Sequence, residues 1–557
     1  MLGNSPHILD LVGLHGIALG IIGACLTALF FTRVCTTIKY RQACTQSENE
    51  STIGLLPSPL IPYSIPWIGH SWRFLEKNAN RWYHRQSLSP PNGVYSMVIG
   101  GRRTHIVTNR AATRYLFRHP YAQGLTRATF VKDLLIKCLL VSPQDTSVIN
   151  TGEGRKQQED VFHKYLARRE AVTELTSTFS GKLLRSHEEI SNQNPCVENI
   201  GLYAWLRRRL YSASLTAFFG EELVRMYPEV SDDIFGFDED LCSFFFDFPR
   251  ILNRAAWTRR RRILNKLMAW DTMIHEMNKG PPGDPLKSTA WDPVFGSRFN
   301  KARLLLYDSL GLSIESRAGM NLSIMFALAS NVVPATGWML FHILGGSDSE
   351  SLLTSVRAEV DSATKSDQTL DIPVLLSASP LLSSVWTEVL RHYCDNMIMR
   401  EVVESTAIPL EDHGSKWFKV DKGDMIISPC WVAHHESAYW QEGGIEQSPS
   451  VFVADRFVGN NLSDAKAKAL AGTPNAKMYP FGGGKSICAG RIFAKEEALV
   501  AVAQTLSKFD IVVHGFLDGQ GKPTSSFPGL TPSLPGVVVY PPEGDLLVSM
   551  RKRAPKL

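Results

Sequence analysis

The sequence predicts a mainly α protein with small β-sheets, built as one large folded body behind a single N-terminal membrane helix. Three observations predict it. The N-terminal stretch Leu11–Phe31 is an unbroken apolar run with His15 as its sole titratable group apart from a thiol, long enough to cross about 30 Å of hydrocarbon. Long stretches of the remainder carry apolar residues at helical spacing. The β-rich pieces between them are few and short.

The apolar run is flanked by Arg33, Lys39 and Arg41 on one side and only by His7 and Asp10 on the other. The basic side stays in the cytosol, so the bulk of the chain is expected there. A cleaved signal peptide has its basic residues before the apolar core and a shorter core, so residues 1–32 read as an uncleaved anchor. Residues 33–70 read as a basic, proline-rich linker: Pro57, Pro59, Pro62 and Pro66 fix φ and favour a stiff strap that holds the body near the bilayer. Residues 71–557 show no internal repeat or low-complexity tract and read as one domain.

Within that body, helical spacing appears at Glu159–Arg169, Gly201–Phe219, Arg250–Lys279, Leu305–Leu344, Leu381–Tyr393 and Arg491–Phe509. Strand-like pieces lie near Tyr95–Thr108, Ile398–Leu410 and Val537–Val548. Leu322–Leu344 is a second apolar run of spanning length. Asn331, Pro334 and His342 interrupt it, which suits a buried central helix with a local opening better than a lipid-facing span.

The formal charge of +5, from 59 basic and 54 acidic residues in 557, leaves no nucleic-acid footprint. Nine cysteines without paired spacing read as reduced thiols. One of them stands apart. Phe481-Gly482-Gly483-Gly484-Lys485-Ser486-Ile487-Cys488-Ala489-Gly490-Arg491 sets a single thiol among glycines immediately before a helix. A metal-binding thiolate needs backbone able to approach a flat group, N–H groups turned to sulfur, and the positive end of a helix. Gly484-Lys485-Ser486 also ends like a phosphate loop, but Tyr479 stands where that motif needs glycine.

Phe481-x-x-Gly484-x-x-x-Cys488-x-Gly490, with Ala494 and Glu497 beyond, resembles the haem-binding signature of the cytochrome P-450 family, in its microsomal form. The resemblance implies the P-450 fold and haem b, with Cys488 as axial ligand of the iron, Phe481 shielding the sulfur, and Gly482 and Gly490 shaping the loop. Ser486 departs from the family, which places Arg or His there for a haem propionate; Arg400 is the substitute that the resemblance suggests. Glu388 and Arg391 share one helical face and resemble the family's Glu-x-x-Arg motif, while Phe452–Phe457 resembles its partner segment, so that Arg456 would join them in a buried ion network.

Ala329–Thr336 lies where the family's oxygen-activating helix belongs, but Val333 and Pro334 occupy the positions of its usual acid and threonine. Asn331 and Thr336 are the remaining polar candidates there. The wording Asn331-x-x-Pro334-Ala335-Thr336 and the earlier Val161–Leu166 are similar to the branch holding sterol 7α- and 12α-hydroxylases and prostacyclin synthase. The resemblance therefore implies a monooxygenase that inserts one oxygen atom from dioxygen into a lipophilic sterol, terpenoid or other polycyclic secondary metabolite. Electrons would come from NADPH through NADPH-cytochrome P-450 reductase, with cytochrome b5 as an additional donor, at the cytosolic face of the endoplasmic reticulum. Substrate-facing segments are placed by analogy at Leu125–Val141, Asn396–Glu401 and Ser526–Leu534. A reductase-independent haem-thiolate isomerase or dehydratase, and a non-catalytic membrane binding protein, stay open at this point. The terminal Pro555-Lys556-Leu557 resembles a peroxisomal address, against which the anchor argues.

Overall fold

The computed structural model describes residues 6–48, 54–74, 76–77, 79–87, 91–118, 124–367, 369–411, 416–437, 440, 447–458, 478–532, 536 and 538–554. The terminal tripeptide and the last two residues of Ser526–Leu534 lie outside them. Among the described residues the chain forms two compact units, Met1–Thr126 with Met397–Val432, and Arg127–Asn396 with Ala433–Leu557.

The first unit opens with helix α1 (Pro6–Glu48). It runs straight through Arg33, Lys39 and Arg41, so the basic half of the expected linker is helical. Its apolar residues Leu19, Ile21, Ile22, Leu26, Phe30 and Phe31 are exposed, whereas Thr36 and Ser47 are buried against the rest of the unit. Strands β1 (Gly54–Leu56), β2 (Val94–Ile99), β3 (Arg102–Val107), β5 (Met397–Val402), β6 (Thr406–Pro409), β7 (Lys416–Val420) and β8 (Met425–Pro429) build two sheets. One has the order β1-β7-β6; the other has β2-β3-β8-β5, edged by Leu125–Thr126. Gly100 and Gly101, both at positive φ (57° and 76°), make the two-residue turn between β2 and β3, as a hairpin with right-handed strand twist demands.

The second unit holds the other long helices: α2 (Gly152–Leu166), α3 (Arg169–Gln193), α4 (Leu202–Phe219), α5 (Val230–Phe245), α6 (Arg254–Met277), α7 (Arg298–Ser309), α8 (Ile314–Ser330), α9 (Val332–Gly345), α10 (Ser349–Ser362), α11 (Pro380–Tyr393) and α12 (Arg491–Lys508). Its one larger sheet pairs β4 (Cys196–Gly201), β10 (Asp545–Lys552) and β9 (Phe509–Leu517), with Pro523–Thr524 at the edge. The core is one continuous cluster through α3, α4, α8, α9, α11 and α12.

Two helices among the described residues are long and apolar enough to cross a membrane, Ala18–Ser47 and Ile314–Gly345. The apolar window of the first is 0% buried and that of the second 83% buried. Protein side chains already surround the second, which leaves α1 as the helix with its apolar face unmet. The expected central helix is split at Asn331 (φ −124°, ψ −59°), between α8 and α9. Pro334 accounts for the split, since it has no N–H for the Ser330 carbonyl and its ring crowds that position.

Candidate active site

The residues around Cys488 form a closed loop that ends in a helix. Gly482 and Gly484 adopt positive φ (70° and 58°), a region that any side chain disfavours. A single 3-10 turn spans Gly484–Ser486. The Cys488 N–H then donates to the Phe481 carbonyl at 3.0 Å and closes the loop. Helix α12 begins at Arg491, whose guanidinium donates back to the Cys488 carbonyl at 2.9 Å.

The Cys488 side chain is accessible to solvent, yet the loss of hydration around it raises the thiol pKa. The N–H groups of Gly490 and Arg491 and the Arg491 charge pull the other way, as a helix N-terminus does. Burial outweighs them, and a coordinated cation reverses the balance because it deprotonates a thiol outright. A β-carbon on Gly490 would meet only Cys488 Sγ, at 3.9 Å, so the space this glycine leaves free adjoins the sulfur. A soft, flat, thiolate-bound metal group fits that donor set.

Beyond the loop, α12 carries two buried acids. Glu496 accepts from Thr176 at 2.7 Å on α3. Glu497 accepts from Ser214 on α4. Burial pushes the Glu497 carboxyl up to about 8, with the Ser214 hydrogen bond opposing.

The structure brings Glu388, Arg391 and Arg456 together, all fully buried. Arg391 binds both Glu388 oxygens, at 2.7 and 2.8 Å. Arg456 Nε lies 3.1 Å from each of the same oxygens. One carboxylate thus faces two cations, and backbone carbonyls absorb the excess: His434, Pro449 and Val451 for Arg391, and Gln447, Ser448 and Val451 for Arg456. Every strong donor has an acceptor, which a buried charge cluster requires.

That cluster is tied to the cysteine loop by residues that sequence reasoning missed. The His434 carbonyl accepts from Arg391 at 3.1 Å and from the Trp440 indole at 2.9 Å, while its ring Nε2 takes the Tyr479 N–H at 3.2 Å. Burial, aided by the Arg391 charge, lowers the His434 pKa to about 3. The ring is therefore neutral, and its acceptor nitrogen stays available to the loop. Asn396 adds a second tie, donating to the Pro480 carbonyl at 3.2 Å. The signal in the sequence was the pair His434-His435 ahead of the Phe452–Phe457 segment, but histidine pairs are too common to single out.

In the central helix pair, the Asn331 carbonyl accepts the Ala335 N–H at 3.2 Å and its side chain donates to Ser330 Oγ at 3.1 Å. Thr336 is fully buried and donates its hydroxyl to the Val332 carbonyl at 2.8 Å. That hydroxyl serves its own helix. Arg400 lies in the first unit, on β5 opposite Ile426, buried, with Nη1 on the Met399 carbonyl at 2.8 Å.

Comparison with known proteins gives a consistent result. The family profile for Cytochrome P450 matches residues 59–535. A monooxygenase of that family from Penicillium decumbens is 27% identical over 71% of this chain and 71% of its own length. Cytochrome P450 7A1 of Oryctolagus cuniculus is 24% identical over 88% of this chain and 92% of its own. Among solved structures, the retinoic acid-bound cyanobacterial CYP120A1 superimposes with a TM-score of 0.63 at 18% identity, covering 90% of this chain and 100% of that one, a likeness in fold. With an accessible thiol bordered by glycines, and with this match over most of its length, the chain belongs to the cytochrome P450 family of monooxygenases.

Proposed function

We propose that this chain is a membrane-bound haem-thiolate monooxygenase that inserts one oxygen atom from dioxygen into a lipophilic sterol-like, terpenoid or other polycyclic substrate, with electrons from NADPH through a flavoprotein reductase. Family membership implies haem, and Cys488 is the residue we assign to the iron, with Phe481, Gly482 and Gly490 shaping its side of the group. The observation that carries the reading is the Cys488 loop, where a deep but accessible thiol meets two backbone N–H groups and the start of α12.

When bound, the haem supplies the dioxygen and electron chemistry. The chain's own residues do the rest. Gly490 and Arg491 stabilise negative charge on sulfur. The Glu388–Arg391–Arg456 cluster, acting through His434, holds Tyr479 and with it the start of the loop. Asn331 offers a polar group at the helix break, and we assign Arg400 to a haem propionate in place of the basic residue that Ser486 replaces. We place α1 in the endoplasmic reticulum membrane with the remainder on the cytosolic face, residues 1–32 serving as the anchor, 33–70 as its connection and 71–557 as the haem-bearing body.

A reductase-independent isomerase or dehydratase is the second reading. It is favoured by the commitment of the Thr336 hydroxyl to Val332 and by Val333 and Pro334 where an acid and threonine are usual. The test is twofold. Reduced, carbon-monoxide-treated protein shows the Soret band of thiolate-bound haem, and Cys488→Ser loses it. NADPH and reductase then drive oxygen uptake with a lipophilic substrate; turnover of a peroxide substrate without reductase, and no oxygen uptake with it, overturns the monooxygenase reading in favour of the second.

A further inference from the structure

We propose that Tyr393 is a redox-active residue, an internal one-electron donor to the site at the cysteine loop, and that its phenolic proton passes to His342 as the electron leaves. The proposal rests on the assignment of a haem to Cys488. It adds a reaction for the case in which a peroxide oxidises that haem and no substrate is present to take the oxidising equivalents.

Three aromatic side chains meet where α9 packs on α11. Trp338 and His342, one turn apart, share a face of α9, and Tyr393 is the last residue of α11. The Trp338 indole lies parallel to the Tyr393 ring, with 4° between the planes and 3.9 Å between the centroids. Both are buried. The Tyr393 hydroxyl lies 2.7 Å from Nε2 of His342. Among the described residues the phenol hydrogen has no other acceptor, so it points at Nε2 and the ring carries its own hydrogen on Nδ1. His342 is in turn stacked on Phe452, at 3.5 Å and 3°, which fixes the plane of its lone pair on the phenol.

Burial raises the pKa of the Tyr393 phenol and lowers that of His342 to about 3, because each charged form loses its water. At rest the pair is therefore a neutral phenol and a neutral imidazole. Loss of one electron reverses the preference, since an oxidised phenol is a strong acid, and the nitrogen that takes its proton is already within transfer distance. The step balances. One electron passes from Tyr393 to the peroxide-oxidised haem, the O–H bond breaks with its electron pair left on oxygen, the proton binds Nε2, and a neutral phenoxyl radical remains. One electron from a small thiol reductant, with the proton returned from His342, restores the phenol. Trp338 has no such base: its indole N–H donates to the Tyr540 carbonyl at 2.7 Å, and a carbonyl does not take the proton. The stacked indole shares the positive charge, and the radical settles on Tyr393.

The route to the loop is short and bonded. Cys394 follows Tyr393, and its Sγ lies 3.8 Å from the Pro480 carbonyl. Phe481 follows Pro480, and its carbonyl accepts the Cys488 N–H at 3.0 Å. An electron crosses from Tyr393 to Cys488 through covalent bonds and these two hydrogen bonds.

The experiment uses the full haem-loaded chain with ring-difluorinated tyrosine at position 393 alone. The protein is mixed with hydrogen peroxide without substrate, frozen while reacting, and read by electron paramagnetic resonance. A tyrosyl signal split by fluorine is expected. It should weaken in His342→Gln, which keeps a hydrogen-bond acceptor but no base to hold the proton. Tyr393→Phe should lose the tyrosyl signal, and its Soret band should bleach faster under peroxide. A radical without fluorine splitting lies on another side chain and overturns the proposal, as does equal bleaching of the native and Tyr393→Phe chains. An undiminished signal in His342→Gln overturns the transfer of the proton to His342. The Soret band of the reduced, carbon-monoxide-treated sample separates the two levels of the inference. A chain without it overturns the haem assignment and the redox role together; a chain with it but with no radical at position 393 overturns the redox role alone.

Discussion

Glu497 shows how a residue nine positions after the thiolate candidate can shape the pH behaviour of the fold. Its carboxyl is buried, accepts from Ser214, and is raised from 4.5 to about 8. The folded chain therefore holds a proton there that the unfolded chain releases above pH 4.5, so stability is complete below that value and declines as pH rises towards 8. Glu497→Gln keeps an acceptor for Ser214 and removes the titration. Its melting temperature, followed by scanning calorimetry, should fall less between pH 4.5 and 8 than that of the native chain; an unchanged slope would show that Glu497 is ionised in the fold. Cys488 and Glu497 were legible in the sequence because glycine spacing and a fixed distance along a helix survive as text. The net direction of the Cys488 shift was not. It depends on how much water the neighbours exclude, an effect that exceeds the pull of the helix start.

Elements show the same division. Glu388 and Arg391 were readable as one face of α11, and the helical spacing of α4, α6 and α12 gave their positions to within a few residues. Helix α3 was missed although Val172, Leu175, Thr176, Phe179, Leu183 and His187 make its buried stripe. Threonine and histidine fill two rungs of that stripe, and an apolar count skips them. Strand β9 was missed because it follows α12 without a turn signal, the helix ending at Lys508 and the strand starting at Phe509. At this scale the test is the tie through His434. Glu388→Ala leaves two buried guanidinium groups facing carbonyls alone, a loss of about 3–5 kcal/mol, and the purified protein should lack haem by pyridine haemochrome assay. His434→Gln retains an acceptor for the Tyr479 N–H and should keep most haem, whereas His434→Leu should lose at least half. Equal haem in both variants would remove His434 from the chain of support.

For the whole molecule, the sequence offered two runs of spanning length and could not by itself rank them, because hydropathy records what a helix is made of and not what lies against it. The structure ranks them: among the described residues the apolar window of α8 and α9 is enclosed by protein, while that of α1, from Ala18 onward, is 0% buried. The expected topology is a single crossing. A glycosylation acceptor added ahead of Met1 should be modified in microsomes, and one added after Leu557 should not. Modification of both tags would require the central pair to cross as well, and modification of the second tag alone would reverse the orientation of the single crossing.

Helix α1 has no break between its apolar half and the half that lies on the first unit, where Thr36, Ser47 and the neighbouring strap hold it. A lever without a hinge transmits angle. When bilayer thickness changes, a spanning helix answers by tilting, and here that tilt turns the first unit by the same amount. With α1 in the proposed span, lipid composition becomes a mechanical input to this enzyme, setting how the first unit faces the surface before any substrate arrives.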